Sequence, residues 1–137
     1  MSDYIIETKN LTKIYGEQKS VDNLNIHVKK GRIYGLLGRN GAGKTTTMKM
    51  LLSLTESSSG NVYVFGKPLK GNEKKTLPRI GSLIESPGFY PNLTATENLR
   101  IFETLRGVPN RNAIKDSLDL VGYHIMTKNY FPSIPWE

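Results

Sequence analysis

Residues Gly38 to Thr46 read Gly-Arg-Asn-Gly-Ala-Gly-Lys-Thr-Thr, which fits the spacing G-x-x-x-x-G-K-[ST]. An apolar run, Ile33-Tyr34-Gly35-Leu36-Leu37, leads into it, and a helix-like run from Thr45 to Leu54 follows. A strand, a glycine loop and a helix in that order constrain the chain to an α/β fold organised around the loop. The same residues set the chemistry. A loop that wraps phosphate turns its amides inward, into backbone conformations that a side chain obstructs, and Gly38, Gly41 and Gly43 supply that freedom. The helix then presents an N-terminus carrying partial positive charge and open N–H groups. Lys44 reaches the β- and γ-phosphates as a point charge, and the Thr45 hydroxyl is placed for Mg²⁺. Arg39, Asn40, Ala42 and Thr46 complete the candidate nucleotide-binding loop.

Bulk properties narrow the remaining choices. The 137 residues suffice for one domain with a core. The absence of cysteine excludes disulfides and thiolate metal sites, and His27 and His124 stand too far apart in sequence to suggest zinc. No apolar run approaches the roughly 18 residues of a membrane span. Met1-Ser2-Asp3-Tyr4 lacks the basic and apolar regions of a signal peptide, so a cytoplasmic protein is expected. The formal charge is +7, but the lysines are dispersed. Their densest cluster, Lys67 to Lys75, also holds Gly, Pro, Asn and Glu and reads as an exposed loop. No nucleic-acid partner is expected, since nucleotide phosphate already accounts for part of the positive charge.

Along the chain, Tyr4 to Glu7 and Asn25 to Val28 read as strands flanking a turn-rich stretch around Gly16. Arg32 to Leu37 reads as a buried strand of the parallel-sheet kind. Asn61 to Phe65 and Ile80 to Glu85 read as further strands, with a turn at Ser57-Ser58-Ser59-Gly60. Ser86 to Pro91 holds two prolines and a glycine and excludes regular structure. Thr94-Ala95-Thr96-Glu97 is a capping box opening a helix whose apolar face carries Leu99, Phe102 and Leu105, and which Gly107 and Pro109 end. Asn112 to Val121 is a further helix. Tyr15, ahead of Gly16, offers an aromatic face able to stack on a purine, although a tyrosine before glycine also serves turn packing.

Leu11-Thr12-Lys13-Ile14-Tyr15-Gly16 and Lys30-Gly31-Arg32-Ile33-Tyr34-Gly35-Leu36-Leu37-Gly38 carry a resemblance. From about Tyr4 to Val121 the chain resembles the N-terminal part of an ABC transporter ATPase subunit. That resemblance implies an α/β P-loop NTPase fold, an incomplete ABC ATPase domain. It would comprise an N-terminal antiparallel β subdomain, a partial parallel sheet and helices. It implies ATP and Mg²⁺ as ligands, Tyr15 as the base-stacking residue, and membrane-spanning subunits and a second ATPase subunit as partners. The assembled protein would lie on the cytosolic face of the membrane. Where the family has a glutamine that contacts Mg²⁺ and the attacking water, this chain has Glu85, in Ser82-Leu83-Ile84-Glu85-Ser86-Pro87-Gly88-Phe89-Tyr90. In this it resembles the subgroup serving lantibiotic (bacteriocin) immunity and bacitracin resistance. A glutamate also reaches Mg²⁺ through oxygen, while adding negative charge beside the phosphates.

The resemblance further implies a Leu-Ser-Gly-Gly-Gln-like signature region, an aspartate-glutamate strand end and a switch histidine beyond Val121, none of which is seen. Shifted by one base, permissible codons for Lys128 to Glu137 encode Lys-Leu-Phe-Ser-Lys-Tyr-Ser-Leu-Gly-Met, and Ser-Leu-Gly-Met resembles that subgroup's signature. The expectation is residues 1–127 as the N-terminal part of an ABC ATPase domain and 128–137 as an aberrant, frameshifted tail. Such a chain would bind ATP, hydrolyse it near background and be weakly stable. Two other readings stand beside it. One is a non-catalytic nucleotide-binding fragment. The other is a small P-loop nucleotide kinase, which would need an acceptor site and arginines near the phosphates; Arg39, Arg79 and Arg100 show no such pattern.

Overall fold

The computed structural model describes residues 3–85, 88–107 and 112–122. The chain divides into two compact units, residues 1–85 and 86–137. The first is organised by one long strand, β1 (Tyr4–Tyr15). One edge of β1 pairs with β4 (Ser59–Val64), and β5 (Lys67–Pro68) lies beyond it. The other edge pairs with β3 (His27–Lys29) near the start of β1 and with β2 (Gln18–Leu24) near its end. Every one of these pairings is antiparallel.

The strand expected at Tyr4 to Glu7 therefore runs on to Tyr15. Its alternation is broken at Asn10, which sits at φ 51°, and the register with β4 shifts between Lys9 and Thr12. A bulge of this kind interrupts the period-two pattern without ending the strand. The strand expected at Asn25 to Val28 is also redrawn, because Asn25 and Ile26 form the break between β2 and β3. Thr8, fully buried, spans that break: its Oγ1 donates to the Leu24 carbonyl at 2.9 Å and accepts the Ile26 amide at 2.8 Å. Asn25 Oδ1 accepts the Asn10 amide at 2.9 Å. Side chains thus take over the ladder where the backbone cannot make it.

Helix α1 (Lys44–Leu51) lies on this sheet through Met50, which joins Leu11 and Val21 in the core with Leu24 and Val62 around them. The helix stops short of the expected Leu54, with Ser53 at φ 54°. The lysine-rich stretch expected as a loop contains β5 and a short helix, α2 (Glu73–Thr76), followed by a 3₁₀ turn over Leu77–Arg79. Hydrogen bonds from its own amide and from Gly71 hold the Glu73 carboxyl below its usual pKa.

Arg32 to Leu37, expected as a strand, has no ladder partner among the described residues, and Ile33 and Leu37 are almost completely exposed. Ile80 to Ile84 is likewise outside any ladder, and Leu83 is exposed. Apolar strands of this type are buried only when neighbours pair both edges and helices cover both faces. The described residues provide antiparallel strands around β1 and none beside these two segments.

In the second unit α3 (Ala95–Arg106) begins with the expected capping box. Thr94 Oγ1 accepts the Glu97 amide at 3.2 Å, and Glu97 Oε2 accepts the Thr94 amide at 2.8 Å. The Thr94 amide, and after it the Thr94 hydroxyl donating to the same Glu97 Oε2 at 2.7 Å, hold the Glu97 carboxyl below its usual pKa. Gly107, at φ 66°, ends the helix as expected. Asn98 was not foreseen. Its completely buried side chain accepts the Tyr90 amide at 2.7 Å and donates to the carbonyls of Tyr90, Leu93 and Thr94 at 3.1–3.2 Å. Helix α4 (Ala113–Leu120) buries Leu118. Ser86, Pro87, Pro109, His124 and the tail from Lys128 lie outside the described residues.

Candidate functional site

The phosphate-loop sequence adopts a turn closed by the Ala42 amide donating to the Arg39 carbonyl at 3.1 Å. Gly41 and Gly43 take φ values of 83° and 81°, conformations that disfavour any other residue. Gly43 is under a second constraint. A Cβ there would overlap the Ser20 carbonyl oxygen and stand 2.9 Å from Val21 Cγ2. The loop therefore rests directly on β2, with no room for a side chain between them.

Gly43 is the N-cap of α1 and supplies no side-chain cap, and the first turn holds no acidic residue. The helix start thus keeps the donors and partial positive charge that attract an anion. Lys44 Nζ donates to the Gly38 carbonyl at 2.6 Å and the Arg39 carbonyl at 2.7 Å, so its ammonium is folded back over the loop. Thr45 is exposed at the helix start, Asn40 is exposed in the turn, and Thr46 is half-buried. Thr47 Oγ1 donates to the Gly43 carbonyl at 2.9 Å, securing the first turn from within.

A cavity of about 470 Å³ opens beside the loop, and Lys44, Thr45, Met48 and Glu85 share its wall with Leu36 and Ile84. Two residues 40 positions apart, Thr45 and Glu85, thereby line one hollow. Glu85 sits at φ 64° and pairs with Lys49 Nζ at 3.6 Å. Sequence reasoning overlooked Lys49. Its signal was present, because it follows Thr45 by four residues and so shares its face of the helix. The donors fit a magnesium-nucleotide complex: open amides and a lysine for phosphate, then a hydroxyl and a carboxylate oxygen for the cation.

Tyr15 closes β1 where Gly16, at φ 56°, turns the chain toward β2. Its pairing with Gln18 places it on the same hairpin whose Ser20 backs Gly43. The ring is 48 % exposed, and Lys13 Nζ lies 4.8 Å from its centroid. Lys13 was another residue that sequence reasoning did not assign to the site.

The sequence profile of the ABC transporter family matches residues 21–132. The bacitracin transport ATP-binding protein BcrA of Bacillus licheniformis is 56 % identical over 124 residues, covering 90 % of this chain and 40 % of that protein. The lantibiotic transport ATP-binding protein SrtF of Streptococcus pyogenes is 37 % identical, with 86 % of this chain and 50 % of that protein covered. The chain thus spans two-fifths to one-half of the length of these curated relatives. Among solved structures, the dimeric post-hydrolysis state of the ATP-binding cassette MJ0796, bound to ADP and Pi, superposes with a TM-score of 0.70 at 25 % identity. That match covers 85 % of this chain and 56 % of the other.

Proposed function

Since this chain belongs to the ABC transporter family of ATP-binding proteins, we propose that its phosphate loop binds the β- and γ-phosphates of ATP, with Tyr15 stacking on the base. The observation that carries this reading is the start of α1. It is uncapped, free of acidic residues in its first turn, and covered by the Lys44 ammonium. On binding, that ammonium exchanges loop carbonyls for phosphate oxygens, and the first-turn amides donate to the same group. Mg²⁺ supplies charge neutralisation of the phosphates when bound. Thr45 and Glu85 are the residues that would hold it.

The wider reading is an ATP-binding subunit serving a transporter for a bacitracin- or lantibiotic-class peptide. It would act with membrane-spanning subunits and a second ATPase subunit on the cytosolic face of the membrane. Among the described residues no helix is long and apolar enough to cross a membrane. Similarity to BcrA and SrtF supports this reading, as does a carboxylate at position 85. Residues 128–137 are proposed to be read in a shifted frame, and the codons of the gene test that directly.

Titration of the chain with ATP and Mg²⁺ in a calorimeter tests the central claim. Lys44→Ala is expected to weaken binding by about tenfold to a hundredfold, the scale of lost hydrogen bonds to a charged group. Equal affinity in the variant overturns the assignment. For the transported peptide, expression of the intact gene should raise resistance to bacitracin or a lantibiotic, and unchanged sensitivity to all of them removes that reading.

A further inference from the structure

The Lys13 ammonium makes two contacts that belong together. It lies 4.8 Å from the centroid of the Tyr15 ring, within cation–π range. It also donates to the Glu56 carbonyl at 2.7 Å, across 43 residues of sequence. The Glu56 segment is itself fastened to β1. The Ser58 amide donates to the Thr12 carbonyl at 2.9 Å, and Ser58 Oγ accepts the Ile14 amide at 3.0 Å. The ammonium is therefore held by a backbone oxygen whose own position is fixed, and it cannot follow the ring if the ring turns.

A fixed cation on one face of an aromatic ring has two effects. It restricts the ring to orientations that keep that face toward the charge, and it draws electron density away from the opposite face. An electron-rich purine stacks better on such a face, and the ring need not be ordered when the base arrives. The contact occupies one face of the ring of a residue that is 48 % exposed, so a stacked base would take the opposite face.

We propose that Lys13 is a positioning residue for the base of the nucleotide: anchored to the Glu56 carbonyl, it holds the Tyr15 ring as a preset platform for a purine. This rests on the reading of Tyr15 as the stacking residue and adds to it the group that orients the ring. The phosphates take no part in this contact, so a probe without a base separates the two sites.

The probes are ATP and inorganic tripolyphosphate, each with Mg²⁺, titrated calorimetrically into the full chain and its variants. Lys13→Met is expected to weaken ATP binding about threefold, the scale of an exposed cation–π contact, and to leave tripolyphosphate affinity unchanged. Lys13→Arg should restore ATP affinity, because a guanidinium also lies over an aromatic face. In Tyr15→Ala, which itself binds ATP more weakly, adding Lys13→Met should cost nothing further. Equal losses for ATP and tripolyphosphate in Lys13→Met would mark a general structural effect and overturn the proposal. Unchanged ATP binding in Lys13→Met, with a loss in Tyr15→Ala, overturns the role of Lys13 alone. Unchanged ATP binding in Tyr15→Ala removes the stacking reading and this inference with it. A chain that binds neither probe removes the phosphate site as well.

Discussion

The sheet around β1 and the segments at residues 32–37 and 80–84 end in opposite conditions, although the two segments are no less apolar than β1. Leu11 in β1 is completely buried under Met50, whereas Ile33 and Leu37 are almost completely exposed. Apolar content therefore does not decide which is buried. What differs is where each finds its partners. β1 pairs with strands that follow within one hairpin or one helix, while a parallel strand depends on neighbours that a crossover must deliver. The phosphate loop hangs between the two conditions. Its leading segment is exposed, and its trailing glycine is seated on β2.

Five substitutions probe these regions. The largest effect is expected at Gly43, the joint between loop and sheet. Gly43→Ala combines a strained φ with overlap on the Ser20 carbonyl, a loss of about 2–4 kcal/mol in urea unfolding. Nucleotide affinity should fall with it. Wild-type stability in that variant would mean the loop does not depend on the hairpin. Next, Leu11→Ala should cost about 3 kcal/mol, while Leu37→Ser should stay within about 0.5 kcal/mol and improve solubility. Similar losses for the two would show that residues 32–37 are buried in solution and would collapse the comparison.

Thr94→Ala should cost about 1 kcal/mol through the capping box, read as lost helicity and a lower thermal midpoint. The same box gives a pH signature. Because the folded Glu97 pKa is depressed, its contribution is fully present above the ordinary glutamate value. It is lost as pH falls through the folded value; the variant keeps the amide at position 94 and loses only the hydroxyl's bonds, so the gap between wild type and Thr94→Ala should narrow in acid without closing. A constant gap would leave the cap to the Thr94 hydroxyl accepting the Glu97 amide. The smallest effect belongs to Lys49→Met, within about 0.5 kcal/mol because its pair with Glu85 is exposed. The useful readout there is Mg²⁺ dependence of nucleotide binding, which should shift to lower Mg²⁺ once Glu85 is released. No shift would detach the pair from the cation site.

What was legible in the sequence follows the same division. The glycine loop, the capping box and the Gly107 terminus were readable because each is decided by residues within a few positions of one another. The family assignment and the incomplete ABC ATPase fold also followed from contiguous motifs, and the profile match bears them out. The length of β1 was hidden by the bulge at Asn10, which breaks the alternation on which strand reading depends. Ser20 under Gly43, and Glu56 behind Lys13, could not have been found from spacing, since both contacts depend on how distant segments come together. Residues 32–37 were read as a buried strand and are neither buried nor in a ladder, because both properties depend on neighbours.

Asn98 carries a mechanical consequence. Four hydrogen bonds from one buried amide weld residues 90–94 to the first turn of α3. That loop cannot flex on its own without stranding polar groups away from water. It and the helix behind it, roughly 18 Å long at 1.5 Å per residue, behave as one rod. A displacement of the Tyr90 backbone would therefore carry the start of α3 with it.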